Sequence, residues 1–177
     1  MTTMSIEDVK KKIRAVPDFP KKGIIFRDIT TGIKDAQTLH AMIDYLCDKF
    51  KDDKIDYIAG IESRGFIFGM PMAYKMSCGF VPIRKPNKLP AETISESYGL
   101  EYGKDTIEIH KDSIEPGKRV LIVDDLLATG GTARAAYNLV SKLNADIVGF
   151  AFLIELDSLQ GREKLHDCGK IISMLKY

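Results

Sequence analysis

Short apolar runs alternating with segments of helical periodicity predict an α/β domain, a mostly parallel sheet with helices on both faces. Three observations carry that expectation. Residues 57–61, 80–83, 119–123 and 147–154 are compact apolar runs of strand length. Between them lie stretches long enough to be crossover helices, at 65–76 and 131–143. The chain has 177 residues, one domain's length and enough to bury a core.

Each element has a local reason. Ser5 with Asp8 resembles a capping box and opens a short helix to about residue 14, which Pro17 and Pro20 end. Over residues 35–50, Leu39, Met42, Ile43, Leu46 and Phe50 recur at helical spacing. Tyr57-Ile58-Ala59-Gly60-Ile61 reads as a buried strand, the small-residue segment after Gly65 as a helix, and residues 80–83 as a second strand. Residues 84–104 are polar and carry Pro86, Pro90, Gly99 and Gly103. They predict a long loop or flexible hairpin of the kind that serves as a lid. Ile107 and Ile109 alternate with polar neighbours as in a strand, and Glu115-Pro116-Gly117 is a turn. Arg119-Val120-Leu121-Ile122-Val123 is a strand, residues 131–143 a helix, and residues 147–154 the final buried strand.

Composition excludes several classes. Lys and Arg number 26 against 25 Asp and Glu, a net charge of +1. That balance argues against a general nucleic-acid binder. No apolar run is long enough to span a membrane, and residues 1–5 lead into a charged segment without a signal-peptide core. Cys47, Cys78 and Cys168 are widely separated and do not cluster with His40, His110 or His166, so free thiols in a reducing cytoplasm are expected and a structural zinc site is not.

Chemistry concentrates in residues 120–132, Val-Leu-Ile-Val-Asp-Asp-Leu-Leu-Ala-Thr-Gly-Gly-Thr. A buried strand ends in Asp124 and Asp125, at the end where open α/β sheets place their ligands. A small glycine-containing turn then opens a helix, whose free N–H groups and dipole favour an anion. Gly130 and Gly131 leave room for close approach, and Thr129 and Thr132 add hydroxyls. Neither a P-loop nor a dinucleotide fingerprint is present. A sugar phosphate fits, its phosphate in the loop and its vicinal hydroxyls donating to Asp124 and Asp125. Alone, an Asp pair could merely cap a helix and the glycines merely turn the chain; strand, acids and helix together favour the cradle.

This string closely resembles the phosphoribosyl-diphosphate signature of the type I phosphoribosyltransferases. Further pieces resemble the adenine-using members: Phe19-Pro20-Lys21-Lys22-Gly23-Ile24-Ile25-Phe26-Arg27-Asp28-Ile29, Ile61-Glu62-Ser63-Arg64-Gly65-Phe66, Ile83-Arg84-Lys85, Lys88-Leu89-Pro90, Tyr98-Gly99-Leu100-Glu101-Tyr102-Gly103 and Gly161-Arg162-Glu163-Lys164-Leu165. The resemblance implies one domain over 1–177, with an N-terminal hood at about 1–34 and a flexible lid at about 84–104. It implies transfer of a 5-phosphoribosyl group to adenine in purine salvage, Mg²⁺ held mainly by the substrate, and a homodimer.

It also implies roles. Asp124 and Asp125 would hold the ribose hydroxyls, and Ala128, Thr129, Gly130, Gly131 and Thr132 the 5′-phosphate. Ser63 and Arg64 would form the diphosphate loop, with a cis Glu62–Ser63 peptide. Arg84, Lys85, Lys88 and Tyr102 would contact the departing diphosphate, and Glu101 would exchange a proton with the base. Ile25, Phe26 and Arg27, with Arg64, would bind adenine. Without the resemblance, Arg84, Lys85 and Lys88 read as a solvated charge run, Arg64 as a surface ion-pair residue, Glu101 as a solvated acid, and Ile25-Phe26 as core. Many members of the family carry Asp where this chain has Glu62, a change expected to have little effect. Glu155, in an otherwise apolar strand, is either beyond the strand's end or near the site. A sister enzyme for another base and a non-catalytic regulator binding the same diphosphate ester remain alternatives.

Overall fold

A computed structural model describes residues 4–99 and 104–177. The chain divides into two compact units, residues 1–45 and 46–177.

In the first unit, α1 (Ile6–Lys12) starts as predicted. The Asp8 N–H donates to Ser5 Oγ at 3.2 Å, and the Ser5 hydroxyl donates to Asp8 Oδ2 at 2.6 Å. A hairpin not foreseen from the sequence follows, β1 (Arg14–Pro17) pairing antiparallel with β2 (Ile25–Asp28). Pro17 and Pro20 read as the end of the helix, whereas α1 stops at Lys12, Pro17 is the last residue of β1 and Pro20 lies in the connection to β2. A one-turn helix, α2 (Thr30–Ile33), comes next, and α3 (Ala36–Lys49) begins in this unit.

The second unit is built on five parallel strands: β3 (Tyr57–Ile61), β4 (Gly79–Ile83), β7 (Arg119–Leu127), β8 (Asp146–Glu155) and β9 (Lys170–Lys176), in the order β4-β3-β7-β8-β9. Side chains alternate along each strand between the two faces. On one face Ala59, Ile61, Val120, Ile122, Phe150 and Phe152 pack with Ala133, Ala136, Leu139 and Val140 of α5 (Gly131–Ser141). On the other, Ile58 lies against Gly69 of α4 (Arg64–Met76), and Phe66 of that helix meets Phe80 edge to face at 5.7 Å. The predicted layers are therefore present.

One expectation is corrected. β8 is not the last strand: β9 adds to the sheet edge, too mixed in polarity, Lys-Ile-Ile-Ser-Met-Leu-Lys, to read as buried. Of the loop or hairpin expected before residue 104, the described residues form the hairpin, β5 (Thr93–Gly99) pairing residue by residue with β6 (Lys104–His110). This hairpin joins the sheet's edge where Arg84 and Glu108 exchange backbone hydrogen bonds of 2.9 and 2.7 Å. It lies on α5, where Glu96 accepts from Asn138 at 3.0 Å and from Lys142 at 2.7 Å.

The strand order fixes where a ligand goes. From β3 the chain crosses to β4 on one side, and β7 then takes the other side. The loops leaving β3 and β7 thus diverge and open a crevice at the carboxyl end of the sheet.

Candidate active site

Both loops of interest border that crevice. After β3, the Glu62–Ser63 peptide is cis, as expected, and α4 begins at Arg64. Gly65 permits this arrangement. A β-carbon there would lie 2.6 Å from the Val123 carbonyl oxygen and 3.3 Å from Asp124 Cα, so the start of α4 rests directly on the end of β7.

After β7, residues 128–130 turn the chain into α5. Gly130 caps that helix with φ near 77°, a conformation that favours glycine. Arg64, Asp124, Asp125 and residues 126–133 line a pocket of about 170 Å³. The first N–H groups of α5 have no partner within their own helix, so the pocket is suited to an anion.

Asp124 is half-buried and Asp125 buried. The Asp125 N–H donates to Asp124 Oδ1 at 2.8 Å. Arg64, 61 residues away in the chain, donates from Nε to Asp125 Oδ2 at 2.5 Å. Burial alone would lower the Arg64 pKa; the Asp125 carboxylate outweighs it, so the guanidinium stays firmly charged. The Asp124 carboxyl is pushed well above the usual carboxylate range, first by burial and then by the neighbouring Asp125 charge, with Arg64 pulling the other way.

This shift has a sign. A carboxyl whose folded pKa is raised keeps its proton where the unfolded chain has lost it. Stability therefore falls as pH rises from the ordinary value of 3.8 through the folded one. Asp124→Asn retains an oxygen for the Asp125 N–H and removes the charge. It is expected to raise the melting temperature at neutral and mildly alkaline pH and to flatten its pH dependence, while lowering turnover. A variant that melts lower than the parent at neutral pH would contradict this.

Arg84 and Lys85 are already engaged. Arg84 donates from Nε to Glu62 Oε2 at 3.0 Å and sits 5.9 Å from the Phe66 ring centre. Glu62 also accepts the Lys85 N–H at 2.7 Å, and Arg84 holds its carboxyl below the usual range. The longer acid at position 62 thus ties the loop after β3 to the end of β4. Lys85 pairs with Asp105, which also accepts from the Tyr98 hydroxyl at 3.0 Å. Lys88 lies in the same connection after β4.

Tyr98 and Asp105 were missed by sequence reasoning. Tyr98 reaches toward the Thr132 hydroxyl and lies beside Gly131, so β5 flanks the turn into α5. The alternation of Ile94, Glu96 and Tyr98 on one face of a strand was the available signal. Glu101 and Tyr102 lie outside the described residues. Ile25, Phe26 and Arg27 lie on β2 in the first unit. Ile25 is exposed, together with Phe19 and Ile24, while Phe26 is half-buried and meets Phe19 edge to face at 5.3 Å. Glu155 is the last residue of β8, buried, and accepts from Nε and Nη2 of Arg162 at 2.9 and 2.6 Å.

An α/β domain with an anion cradle and paired carboxylates at the switch point of its sheet is the class that fold and site define. Comparison with known proteins agrees. The phosphoribosyl transferase domain family matches residues 31–174. An adenine phosphoribosyltransferase of Halothermothrix orenii is 60% identical over 158 residues, covering 89% of this chain and 93% of that protein. The crystal structure of adenine phosphoribosyltransferase from Thermoanaerobacter pseudethanolicus superposes with a TM-score of 0.94 at 53% identity, covering 98% of this chain and all of that one. The enzyme from Saccharomyces cerevisiae, solved with adenine and an imino-altritol bisphosphate, gives 0.90 at 41% identity over 96% of this chain and 98% of its own. The chain belongs to the phosphoribosyl transferase domain family, and these relatives within it are adenine phosphoribosyltransferases.

Proposed function

We infer that this chain transfers the 5-phosphoribosyl group of 5-phospho-α-D-ribose 1-diphosphate to adenine, giving AMP and pyrophosphate. The observation that carries the reading is the joining of Asp124, Asp125 and the 128–132 turn in one pocket at the sheet's switch point. The high identity to adenine phosphoribosyltransferases over nearly the whole chain supports the choice of base.

Each residue has work suited to its place. The turn and the start of α5 hold the 5′-phosphate. Asp124 and Asp125 accept hydrogen bonds from the ribose hydroxyls, and stabilise the positive charge that builds on the ring as the diphosphate leaves. Ser63, Arg64, Arg84, Lys85, Lys88 and Tyr102 receive the diphosphate, the guanidinium forks suiting its oxygens. Ile25, Phe26 and Arg27 hold adenine, for which the exposed apolar side chains of β2 and its approach offer a surface. Glu101 exchanges a proton with the purine as N9 attacks.

Among the described residues no three His, Cys, Asp or Glu side chains come together as a metal cage. The donor set suits Mg²⁺ carried in by substrate oxygens, with Asp124 and Asp125 holding the ribose hydroxyls beside it. The ion would neutralise charge on the leaving group.

A homodimer also fits. Ile67, Met70 and Tyr74 form an exposed apolar stripe along α4, with Tyr74 88% exposed, a face suited to a second copy of the chain. No helix among the described residues is long and apolar enough to cross a membrane, and all three cysteines are free thiols, in keeping with a cytoplasmic enzyme.

The test is product formation from phosphoribosyl diphosphate and Mg²⁺ with adenine, hypoxanthine, guanine, uracil and orotate. AMP from adenine alone is expected. A nucleotide from another base would overturn the specificity, and binding of the diphosphate ester without any product would overturn the enzymatic reading.

A further inference from the structure

A wall of backbone stands behind the phosphate loop, supplied by a segment that the proposed mechanism does not use. After β8 the chain passes through two short 3-10 turns, Asp157–Leu159 and Gly161–Leu165. At Gly161 it touches the loop. A β-carbon on Gly161 would collide with the Ala128 carbonyl oxygen and lie 2.9 Å from Gly130 N and 3.0 Å from Ala128 C. One on Gly130 would collide in turn with the Gly161 carbonyl oxygen. Two glycines thus face each other across a contact that no side chain could enter. The demand at Gly161 is spatial, because it lacks the positive φ of Gly130.

The wall is anchored on both sides. Arg162, the next residue, grips Glu155 with Nε and Nη2, and donates from Nη1 to the Ile171 carbonyl of β9 at 3.1 Å. Glu155 pairs in register with Leu127, the last residue of β7 before the loop departs. On the other side, Arg134 of α5 donates to the Lys164 carbonyl at 3.3 Å and pairs with Asp167. The same residue's N–H bonds the Gly130 carbonyl at 2.9 Å. Leu165 is fully buried in the core between these anchors. The end of β8, the start of β9 and the helix that follows the loop are therefore tied to one turn.

We propose that Gly161, held by the Glu155–Arg162 pair, is a positioning element for the 5′-phosphate loop, setting its affinity for the phosphoribosyl group without touching the substrate. This rests on the reading that residues 128–132 hold the 5′-phosphate. Converging N–H donors act only when held close to their productive geometry, and a shift of about 1 Å can cost on the order of a hundredfold.

Gly161→Ala, Arg162→Ala and Arg162→Lys test it in the full chain, with Thr132→Val as the check on the loop itself. Binding of ribose 5-phosphate and of pyrophosphate is measured by calorimetry, alongside KM, kcat and melting temperature. Gly161→Ala is expected to weaken ribose 5-phosphate binding and raise KM for phosphoribosyl diphosphate by about tenfold or more. Pyrophosphate binding should stay within about twofold and kcat within about threefold. Arg162→Ala should shift the same parameters in the same direction, and Arg162→Lys should recover part of the loss. If Gly161→Ala does not fold, the two Arg162 variants decide. Unchanged ribose 5-phosphate affinity in the folded Gly161 and Arg162 variants, with Thr132→Val weakened, would overturn the positioning role. Unchanged affinity in Thr132→Val as well would overturn the loop assignment beneath it. Equal losses for both ligands, scaling with melting temperature, would mark a purely structural role and overturn the proposal.

Discussion

Asp125→Ala is expected to lower kcat/KM by about a hundredfold to a thousandfold, the loss typical when one preorganised group facing developing charge is removed. The side chain is buried at the end of β7 and paired with Arg64. Its loss takes away the acceptor proposed for the ribose hydroxyls and the partner of Arg64 at the pocket. Fold stability should change far less. Arg64 is 52% exposed, so its released guanidinium can return to water rather than remain a buried unpaired charge. Asp124 is also relieved of the neighbouring charge that raises its pKa. Melting curves with steady-state kinetics separate the two effects. Near-normal turnover would remove Asp125 from the site, and a collapsed melting temperature would make its role structural.

Gly65→Ala should damage both the fold and the activity of the second unit. The new carbon would sit 2.6 Å from the Val123 carbonyl oxygen, and the obstacle is backbone, so no side chain can rotate away. The start of α4 must back off from β7, which separates Ser63 and Arg64 from Asp124 and Asp125. Overpacking of this kind costs about 1 to 3 kcal/mol. The misplacement of two loops should cost about a hundredfold in kcat/KM. A variant with unchanged kinetics and melting would show that this close approach is not needed.

How far the sequence could be read depended on whether the information was local. β3, β4 and the core of β7 are short apolar runs bounded by turn residues, and their strands lie where the pattern put them. Asp124, Asp125 and the glycines stand side by side in the chain, so their meeting in one pocket was legible. β1, β2 and β9 were not, because each is defined by a partner strand rather than by its own pattern. The same reason hides Arg64 from Asp125. Nothing in either segment announces a partner 61 residues away until the sheet order brings the ends of β3 and β7 together. Gly161 entered only as part of a segment that carries the resemblance; the backbone it abuts explains why it has no side chain. Glu155 was visible as an oddity, and its buried pairing with Arg162 accounts for an acid at the end of an apolar strand.

The ion pairs around the crevice carry a consequence for how a polyanion arrives. Arg64, Arg84 and Lys85 each already face an acid, Asp125, Glu62 and Asp105. Seen from a distance, such pairs nearly cancel, and beyond about 10 Å salt screens what remains. These three pairs therefore add little long-range field to draw in a highly charged ester. Recognition begins only on contact, when phosphate oxygens compete with carboxylates for the same guanidinium and ammonium groups. The net free energy is the difference between two sets of ion pairs, which favours a ligand whose oxygens match the forks over one that is merely negative.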